Sequence, residues 1–396
     1  MPGMVDAYAA AEIVILLTGL LFALSAIYAV FFILVGTLKR AGGEDRPIRA
    51  YPSITAVIAA KDEPVVLPHT LARLLELPYP TDKFTVIVAL DEGDNATAAA
   101  CLPYAGRVRV VFTRSHKGKP GVLNEVLPLV EGELMFLLDA DSMPDRDALN
   151  QMLPLILDDG FIATSAQGYP LNTGEGIFPR FFRLECRIQA DLNANKAKAG
   201  FFAYTPGFCT LIRTSEVRRI GGWDEECLSE DSDLAFRLWA TGSRISESPA
   251  RVGMEAPARL SRFCRQRLRW YRGMLDAYRK DRSLLYGVPF AKSIDVTMQF
   301  LSPVFVSLFI PFFLGALIMG GPPLFLLGCL FLILVGGVLI IRGSFSYAER
   351  VENAVLVVPF LLLNSAICIF AVITFLLNRK IAWKRTEKSN FFAGKT

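Results

Sequence analysis

Cysteine is scarce in this chain, and several motifs that identify common protein classes are missing. Seven cysteines are scattered over 396 residues without a CxxC pair, which indicates reduced thiols, most of them packing residues, in a reducing compartment. The GxxxxGK[ST] spacing of a P-loop is absent. No segment interleaves basic with aromatic side chains, and the net charge is only +4. We therefore predict no nucleic-acid partner.

Charged residues are absent from four long hydrophobic runs. None of the runs contains Lys, Arg, Asp or Glu, and they cover Ile13–Leu38, Phe300–Met319, Pro323–Ile341 and Val355–Leu377. Each approaches the ~20 residues that cross about 30 Å of hydrocarbon. The first is too long for the apolar core of a signal peptide and has no obvious cleavage site. The sequence therefore predicts an integral protein of the cell membrane.

The charges around the first run predict its orientation. Asp6 and Glu12 precede it, whereas four basic residues follow it: Lys39, Arg40, Arg46 and Arg49. The positive-inside rule then places the N-terminus outside and residues 39–298 in the cytoplasm. Three later spans would leave the C-terminus outside, but its basic tail favours the inside. Both alternatives stay open.

These patterns divide the chain into five parts. Lys292 and Asp295 interrupt the apolar residues before the second run, so that segment is predicted to be interfacial. The parts are an N-terminal transmembrane helix (1–38), a cytoplasmic catalytic domain with interfacial helices (39–282), an interfacial helix (283–299), three transmembrane helices (300–378) and a basic tail (379–396).

Apolar segments alternate with helical segments between residues 54 and 138. Buried strands are predicted at 54–60, 84–90, 108–112 and 134–138. Such alternation with short links predicts a doubly wound α/β domain with a mainly parallel sheet. Asp62, Asp91 and Asp139 follow three of these strands. Their side chains should collect in the crevice beyond the carboxyl ends of the sheet.

Two further segments suggest phosphate chemistry. Asp139 and Asp141 are hard oxygen donors two positions apart, which suits a divalent cation that also holds substrate phosphates. The structural alternative is a turn after the strand, because Asp is common in turns. The segment from His116 to Asn124 is basic, contains glycine and enters a predicted helix, which is a weak phosphate-binding signal.

Residues 161–167 predict a fifth strand, and residues 177–198 predict an amphipathic helix. Apolar and basic side chains alternate along the helix in a pattern typical of a membrane surface. A helix packed on the domain would have the same pattern. The sequence leaves these two placements open.

Seven short motifs occur in the order found in a known enzyme family. They are AAKDE at 59–63, LDEGD at 90–94, KPGVLN at 119–124, DAD at 139–141, GGW at 221–223, ED at 230–231 and QRLRW at 266–270. With hydrophobic runs on either side, the chain resembles the membrane-embedded family 2 glycosyltransferases over about residues 50–275. That family includes synthases of cellulose, chitin, hyaluronan and poly-N-acetylglucosamine, and the single-step ceramide glucosyltransferase.

The resemblance implies a GT-A-type catalytic domain that uses a nucleotide sugar, with UDP as the expected nucleotide, and Mg²⁺ or Mn²⁺. Asp231 would be the general base, with Glu230 beside it. Asp141 would bind the metal most directly, together with Asp139. The nucleotide sugar would contact Asp62, Glu63, Asp91, Lys119, Asp139, Gln266 and Arg269, and the acceptor would contact Trp270, Gly207 and Phe208. Family members often carry Asn-Glu near the first carboxylate, so the choice between Asp62 and Glu63 stays open.

The chemistry of these residue types agrees with the implied roles. A leaving nucleoside diphosphate gains negative charge, which cations stabilise, and an attacking hydroxyl needs a carboxylate to accept its proton. An α-linked donor would then give a β-linked product. Two structural alternatives remain: Asp231 could simply favour a helix N-terminus, and Arg269 and Trp270 could belong to an interfacial helix.

Three functions are compatible with the sequence. The first is a processive synthase that extends a β-linked polysaccharide and feeds it through the membrane. The second is transfer of a single sugar to a membrane lipid, and the third is an inactive scaffold, which the intact set of acidic and basic motif residues disfavours. Four spans at most make a narrow channel, so a polymer route would need a homo-oligomer or a translocation partner.

Overall fold

An eight-stranded sheet forms the centre of the described chain. The computed structural model describes residues 2–38, 46, 48, 50–115, 117–318, 337, 346–379 and 391. The strands are β1 (Ile54–Ala60), β2 (Phe84–Asp91), β3 (Val108–Thr113), β4 (Leu134–Asp139), β5 (Met143–Pro144), β6 (Ala163–Pro170), β7 (Cys209–Arg213) and β8 (Ile245–Met254). Their order across the sheet is β3-β2-β1-β4-β7-β6-β8-β5.

The first half of the sheet is parallel and buried. Strands β1 to β4 run in one direction because helices α2 (Leu67–Leu75), α3 (Asn95–Cys101) and α4 (Gly118–Val126) return the chain between them. Ala60 lies opposite Leu90, and Ala59 lies opposite Asp139. Asp91 and Asp139 therefore leave the sheet at the same edge, on either side of β1.

The second half of the sheet is mixed. Strand β7 is antiparallel to both β4 and β6, whereas β8 is parallel to β6. The sheet as a whole is mixed with mostly parallel strands, and the predicted GT-A-type α/β fold is confirmed. No pattern in the sequence indicated β8, whose ten residues mix four polar side chains with apolar ones and include Pro249. Proline is tolerated there because the β6–β8 register shifts between Ser165 and Gln167.

Helices cover both faces of the sheet. They are α5 (Ala148–Leu157), α6 (Ile177–Lys198), α7 (Thr214–Arg219), α8 (Glu230–Ala240) and α9 (Leu260–Asp281). The predicted amphipathic helix is α6. Its Phe182 joins the core of the sheet, and its Phe181 and Leu184 pack in a separate cluster with Phe263 of α9. Of its two predicted placements, α6 occupies the one on the domain.

Three long helices lie beside the domain: α1 (Pro2–Leu38), α10 (Phe290–Ile318) and α11 (Tyr347–Leu376). Phe22 of α1 stacks on Phe309 of α10 with ring centroids 4.0 Å apart. Helix α10 runs continuously through the boundary predicted between residues 299 and 300.

By length and composition, two described segments could cross a membrane: Leu16–Val35 and Tyr347–Leu376. Apolar side chains on the first of these face outward, since Leu20 and Ile27 are 56% and 57% exposed. Apart from residue 337 in the predicted run at 323–341 and residues 379 and 391 in the predicted tail at 379–396, these two segments lie outside the described residues.

Candidate active site

Three acidic residues lie just beyond β1 and at the end of β2, and they differ in exposure. Asp91 Oδ2 accepts a hydrogen bond from Lys61 Nζ at 2.5 Å. The Asp62 N–H donates to Asp94 Oδ2 at 2.7 Å, and a left-handed backbone at Asp62 (φ 53°) turns the chain after β1. Glu63 is only 7% exposed. Of the two carboxylates that the sequence left open, Asp62 is the one exposed at the edge of the sheet.

Lys119, at the start of α4, connects the end of β4 with the loop before β7. Its Nζ donates to Asp139 Oδ1 at 2.5 Å and to the carbonyl oxygen of Gly207 at 3.1 Å, and it lies 3.7 Å from Glu230 Oε1. Burial alone would lower the pKa of this ammonium group, but the charges of Asp139, Glu230 and Asp231 outweigh burial and raise it. Lys119 is therefore a cation surrounded by carboxylates.

Asp231 uses its two carboxylate oxygens differently. Oδ1 accepts the Ser232 N–H at 2.8 Å within the first turn of α8. Oδ2 accepts the Tyr204 hydroxyl and the Gly207 N–H, each at 2.9 Å. The helix-terminus alternative therefore accounts for one oxygen only, while the other faces the loop between α6 and β7.

Tyr204 and Gly207 suit this arrangement for different reasons. Burial and the charge of Asp231 raise the pKa of the Tyr204 phenol far above its usual value, so the phenol stays protonated and donates. A Cβ at position 207 would lie 3.0 Å from the Asp231 Cβ. A side chain at position 207 would therefore have to push Asp231 aside by a few tenths of an ångström, which glycine avoids.

Glu230 lies between two cations. Its side chain is nearly buried, and burial raises the pKa of its carboxyl group, an effect that Lys119 and Arg269 oppose and Asp231 reinforces. Arg269 also donates to the carbonyl oxygen of Leu228 at 3.4 Å. Both carboxylates of the ED motif are thus placed beside basic side chains.

Asp141 is 6% exposed, and its Oδ2 accepts the backbone N–H of Glu255 at 3.3 Å. Asp139, with a side chain that is 40% exposed, donates its own N–H to the Phe208 carbonyl oxygen at 3.2 Å. Within the part of the chain that the structure describes, no group of three or more His, Cys, Asp or Glu is arranged to hold a metal ion. Two carboxylates nevertheless fit a cation whose other ligands are substrate phosphates and water.

The QRLRW motif lies on α9 and is organised around Arg267. This side chain is fully buried and pairs with Glu185 of α6. Its guanidinium lies over the rings of Phe263 and Trp270, at 4.4 and 4.3 Å from their centroids. It also donates to Gln266 Oε1 at 2.6 Å. One face of the Trp270 ring is therefore covered by Arg267.

Comparison with protein-family models matches residues 52–273 to the glycosyltransferase like family 2. The chain belongs to this family. The match contains all seven motifs and therefore confirms the resemblance seen in the sequence. Catalysis of glycosyl transfer is the family's chemistry, so the predicted enzyme class is also confirmed.

Relatives of this family 2 chain are named for several different activities. The probable glycosyltransferase YdaM of Bacillus subtilis is 29% identical over 57% of this chain and 56% of its own. A beta-monoglucosyldiacylglycerol synthase of Synechocystis is 26% identical over 58% and 49%. Cellulose synthase 2 of Novacetimonas hansenii is 29% identical over 59% and 15%. The chain spans about half the length, or less, of these relatives.

A solved structure has the same fold over nearly the whole chain. The mannosyltransferase PcManGT from Pyrobaculum calidifontis, in complex with GDP-Man and Mn²⁺, superposes with a TM-score of 0.67 at 17% identity and covers 93% of this chain and 100% of its own. At this identity the likeness shows the fold alone. It extends to the long helices as well as the sheet.

The family 2 site divides the predicted residues into separate sets. One set is joined by hydrogen bonds and close ion pairs and contains Lys119, Asp139, Gly207, Glu230 and Asp231. A second set at the ends of β1 and β2 contains Asp62 and Asp91, and the α9 residues form a third.

Sequence reasoning missed Tyr204, Arg267 and Glu255. Arg267 lies inside the QRLRW motif, so its basic side chain was visible but its burial was not. Tyr204 lies in an irregular loop without a motif, and no pattern in the sequence pointed to it.

Proposed function

We propose that this chain catalyses inverting, metal-dependent transfer of a sugar from a UDP-sugar to an acceptor hydroxyl at the membrane. The observation that carries the proposal is the continuous contact from Asp139 through Lys119 and Gly207 to Asp231. It links the residues that would hold the nucleotide to the carboxylate that would accept the proton.

Asp231 is the general base of the proposed reaction. It takes the proton of the acceptor hydroxyl while the oxygen bonds to the anomeric carbon and the bond from that carbon to the diphosphate breaks. The nucleotide part of the donor leaves as UDP, the sugar stays bonded to the acceptor oxygen, and the configuration at the anomeric carbon inverts. Glu230 lies beside Asp231 and helps to hold Lys119 in place.

The basic side chains stabilise the leaving group. Lys119 and Arg269 place positive charge near the oxygens on which charge develops, and preorganised charges of this kind are an effective form of catalysis. Gln266 would border the same diphosphate. Asp139 and Asp141 would hold Mg²⁺ or Mn²⁺, which supplies further charge stabilisation for the diphosphate when bound.

The nucleotide would bind at the ends of β1 and β2. Asp91 lies at the sheet edge and Asp62 is exposed after β1, and the uracil and ribose hydrogen-bond donors would approach them there. Glu63 is buried and would support the loop from behind rather than contact the base.

The first candidate acceptor is a growing β-linked polysaccharide. The QRLRW motif supports it, because the aromatic ring of Trp270 would stack on an acceptor sugar, and one relative is named as a cellulose synthase. Gly207 and Phe208 would line the same acceptor site. Export of a polymer would couple synthesis to the membrane helices and would require a homo-oligomer or translocation partner.

The second candidate acceptor is a membrane lipid. It is favoured by the packing of the motif helix α9 on α11, where Tyr271 Oη donates to Asn364 Oδ1 at 3.1 Å. One relative is named as a beta-monoglucosyldiacylglycerol synthase. In both cases we place the protein in the cell membrane, in contact with its lipids, with the catalytic domain on the cytoplasmic side.

Product sizing tests these proposals. The full chain in lipid nanodiscs is given UDP-glucose, UDP-galactose or UDP-N-acetylglucosamine with Mg²⁺ or Mn²⁺, and the products are separated by mass. A long polymer supports the first acceptor, and a glycolipid with one added sugar supports the second.

Asp231→Asn tests the base in the same assay. We expect transfer to fall by about 10²- to 10⁴-fold, while UDP binding stays unchanged. A folded variant that retained full transfer would remove Asp231 from the mechanism.

A further inference from the structure

A buried ion pair joins α6 to α10 outside the site described above. Lys196 Nζ lies 3.0 Å from Asp295 Oδ1, and the two side chains are 1% and 2% exposed. Tyr28 of α1 donates its hydroxyl to Asp295 Oδ1 at 2.7 Å, and Lys196 donates to Gln299 Oε1 at 2.7 Å. Burying two charges is costly unless they are paired and hydrogen-bonded. The hydrogen bonds from Tyr28 and to Gln299 therefore help to offset the cost of burying this ion pair.

The other oxygen of Asp295 holds the irregular segment 199–208, which we call the base loop. The Phe202 N–H donates to Asp295 Oδ2 at 2.8 Å. Two residues later, the Tyr204 N–H donates to Asn193 Oδ1 of α6 at 3.3 Å. The base loop also contains the Tyr204 hydroxyl and the Gly207 N–H that bind Asp231.

Aromatic packing fixes the same loop against the long helices. The Phe201 ring meets Phe32 of α1 edge-on, with centroids 5.2 Å apart. The Phe202 ring stacks on Phe300 of α10 at 6.2 Å and meets Trp239 of α8 at 5.7 Å. The base loop is thus held between α1, α10 and the helix whose first turn contains Asp231.

We propose that Asp295 and Tyr28 are positioning residues for Asp231: α1 and α10 hold the base loop so that its two donors orient the catalytic carboxylate. The inference rests on the proposed function, because it assumes that Asp231 is the base. It means that the helices next to the domain are part of the catalytic arrangement and not only an anchor.

The geometry limits what a neutral side chain at position 295 could do. Oδ1 faces two donors, Tyr28 and Lys196, and Oδ2 faces the Phe202 N–H. In Asp295→Asn, one carboxylate oxygen becomes an NH₂ group, which would face a donor on either side. The substitution therefore breaks either the contact with α1 and α6 or the contact with the base loop.

The test uses the full chain in nanodiscs and two variants. Asp295→Asn removes the shared acceptor, and Tyr28→Phe removes a single hydroxyl with little change of shape. Glu352→Gln is the matched control. It removes the negative charge from an ion pair between α11 and Arg183 of α6, 2.6 Å long, that does not involve the base loop. Hydrogen exchange of peptides from 199–208, UDP release at saturating UDP-sugar and UDP affinity in the presence of Mn²⁺ are measured for each.

We expect faster exchange in the base loop and a fall of about tenfold or more in kcat for Asp295→Asn, since small misplacements of catalytic groups are costly. Tyr28→Phe should change both quantities in the same direction but less. UDP affinity should stay unchanged in both, because the nucleotide half of the site does not contact this cluster. Glu352→Gln should leave base-loop exchange and kcat as they are.

Two results would overturn the inference. In the first, Tyr28→Phe leaves base-loop exchange and kcat unchanged, and Asp295→Asn either leaves both quantities unchanged or fails to fold. The other is an equal loss in Glu352→Gln, which would indicate general loosening. Asp231→Asn and Tyr204→Phe distinguish failure of this inference from failure of the proposed function. If both variants retain full transfer, Asp231 is not the base, whatever the result for the Asp295 variant.

Discussion

Glu247 makes the stability of this protein depend on pH in a way that can be measured. The side chain is 7% exposed in β8, and its Oε2 accepts a hydrogen bond from Asn193 Nδ2 at 3.0 Å. Burial raises the pKa of its carboxyl group from 4.5 to about 8, and the nearby charge of Asp191 adds to the rise, while Asn193 and Arg187 oppose it.

The sign of the effect follows from proton binding. Between pH 4.5 and 8 the folded state keeps the Glu247 proton and the unfolded state loses it, so the free energy of unfolding falls as pH rises through this window. Each pKa unit corresponds to about 1.4 kcal/mol, which sets an upper limit of about 5 kcal/mol above pH 8. Glu247→Gln removes the titration and keeps an oxygen that can accept the Asn193 hydrogen bond.

Thermal unfolding of the purified full chain between pH 5 and 8.5 checks this prediction. The variant and the parent should melt at similar temperatures at pH 5, and the variant should become more stable by several degrees at pH 8. Glu226→Gln, at an exposed position, is the control and should show no such divergence. A temperature difference between Glu247→Gln and the parent that does not change with pH would refute the reasoning.

Other predictions concern the site itself. Gly207→Ala should lower kcat by about tenfold or more, because the added methyl group displaces Asp231, and the KM for the UDP-sugar should stay unchanged. Steady-state kinetics measure both constants. A normal kcat would contradict the importance of the close approach between Gly207 and Asp231. Lys119→Met should reduce kcat by about 10²- to 10³-fold, as expected for loss of a charged donor near a leaving group, with Lys117→Met, at a nearby exposed position, as the control. EDTA should abolish transfer and added Mn²⁺ or Mg²⁺ should restore it, whereas full activity in EDTA would exclude the proposed role of Asp139 and Asp141.

The sequence predicted the parallel half of the sheet well because its strands are buried on both faces. The run from Leu134 to Leu138 is apolar without interruption, and the polar residue that follows marks the edge where ligands bind. The same reasoning placed Asp91 and Asp139 on one edge, and the β1–β2 and β1–β4 registers confirm that placement.

The remaining parts depend on contacts between distant segments, which a local pattern does not contain. Strand β8 is stabilised by its neighbours β6 and β5 and not by its own composition, so its polar residues and Pro249 concealed it. Tyr204 acquires its position from Asn193 and Asp231. Arg267 is an ordinary basic residue in the sequence and becomes a fully buried one only because Glu185 and two aromatic rings surround it.

The antiparallel strand in the middle of the sheet has a consequence for biosynthesis. Strand β4 pairs with β7, with Leu134 opposite Arg213, so the two halves of the sheet join only after residue 213 has left the ribosome. By that point the parallel half, with Lys119 and Asp139, is complete, and domains generally fold from the N-terminus as they emerge. A nascent chain stalled there would contain the proposed nucleotide-binding residues of the parallel half, but it would still lack the α9 residues Gln266 and Arg269 and the carboxylate of Asp231 that is needed for transfer.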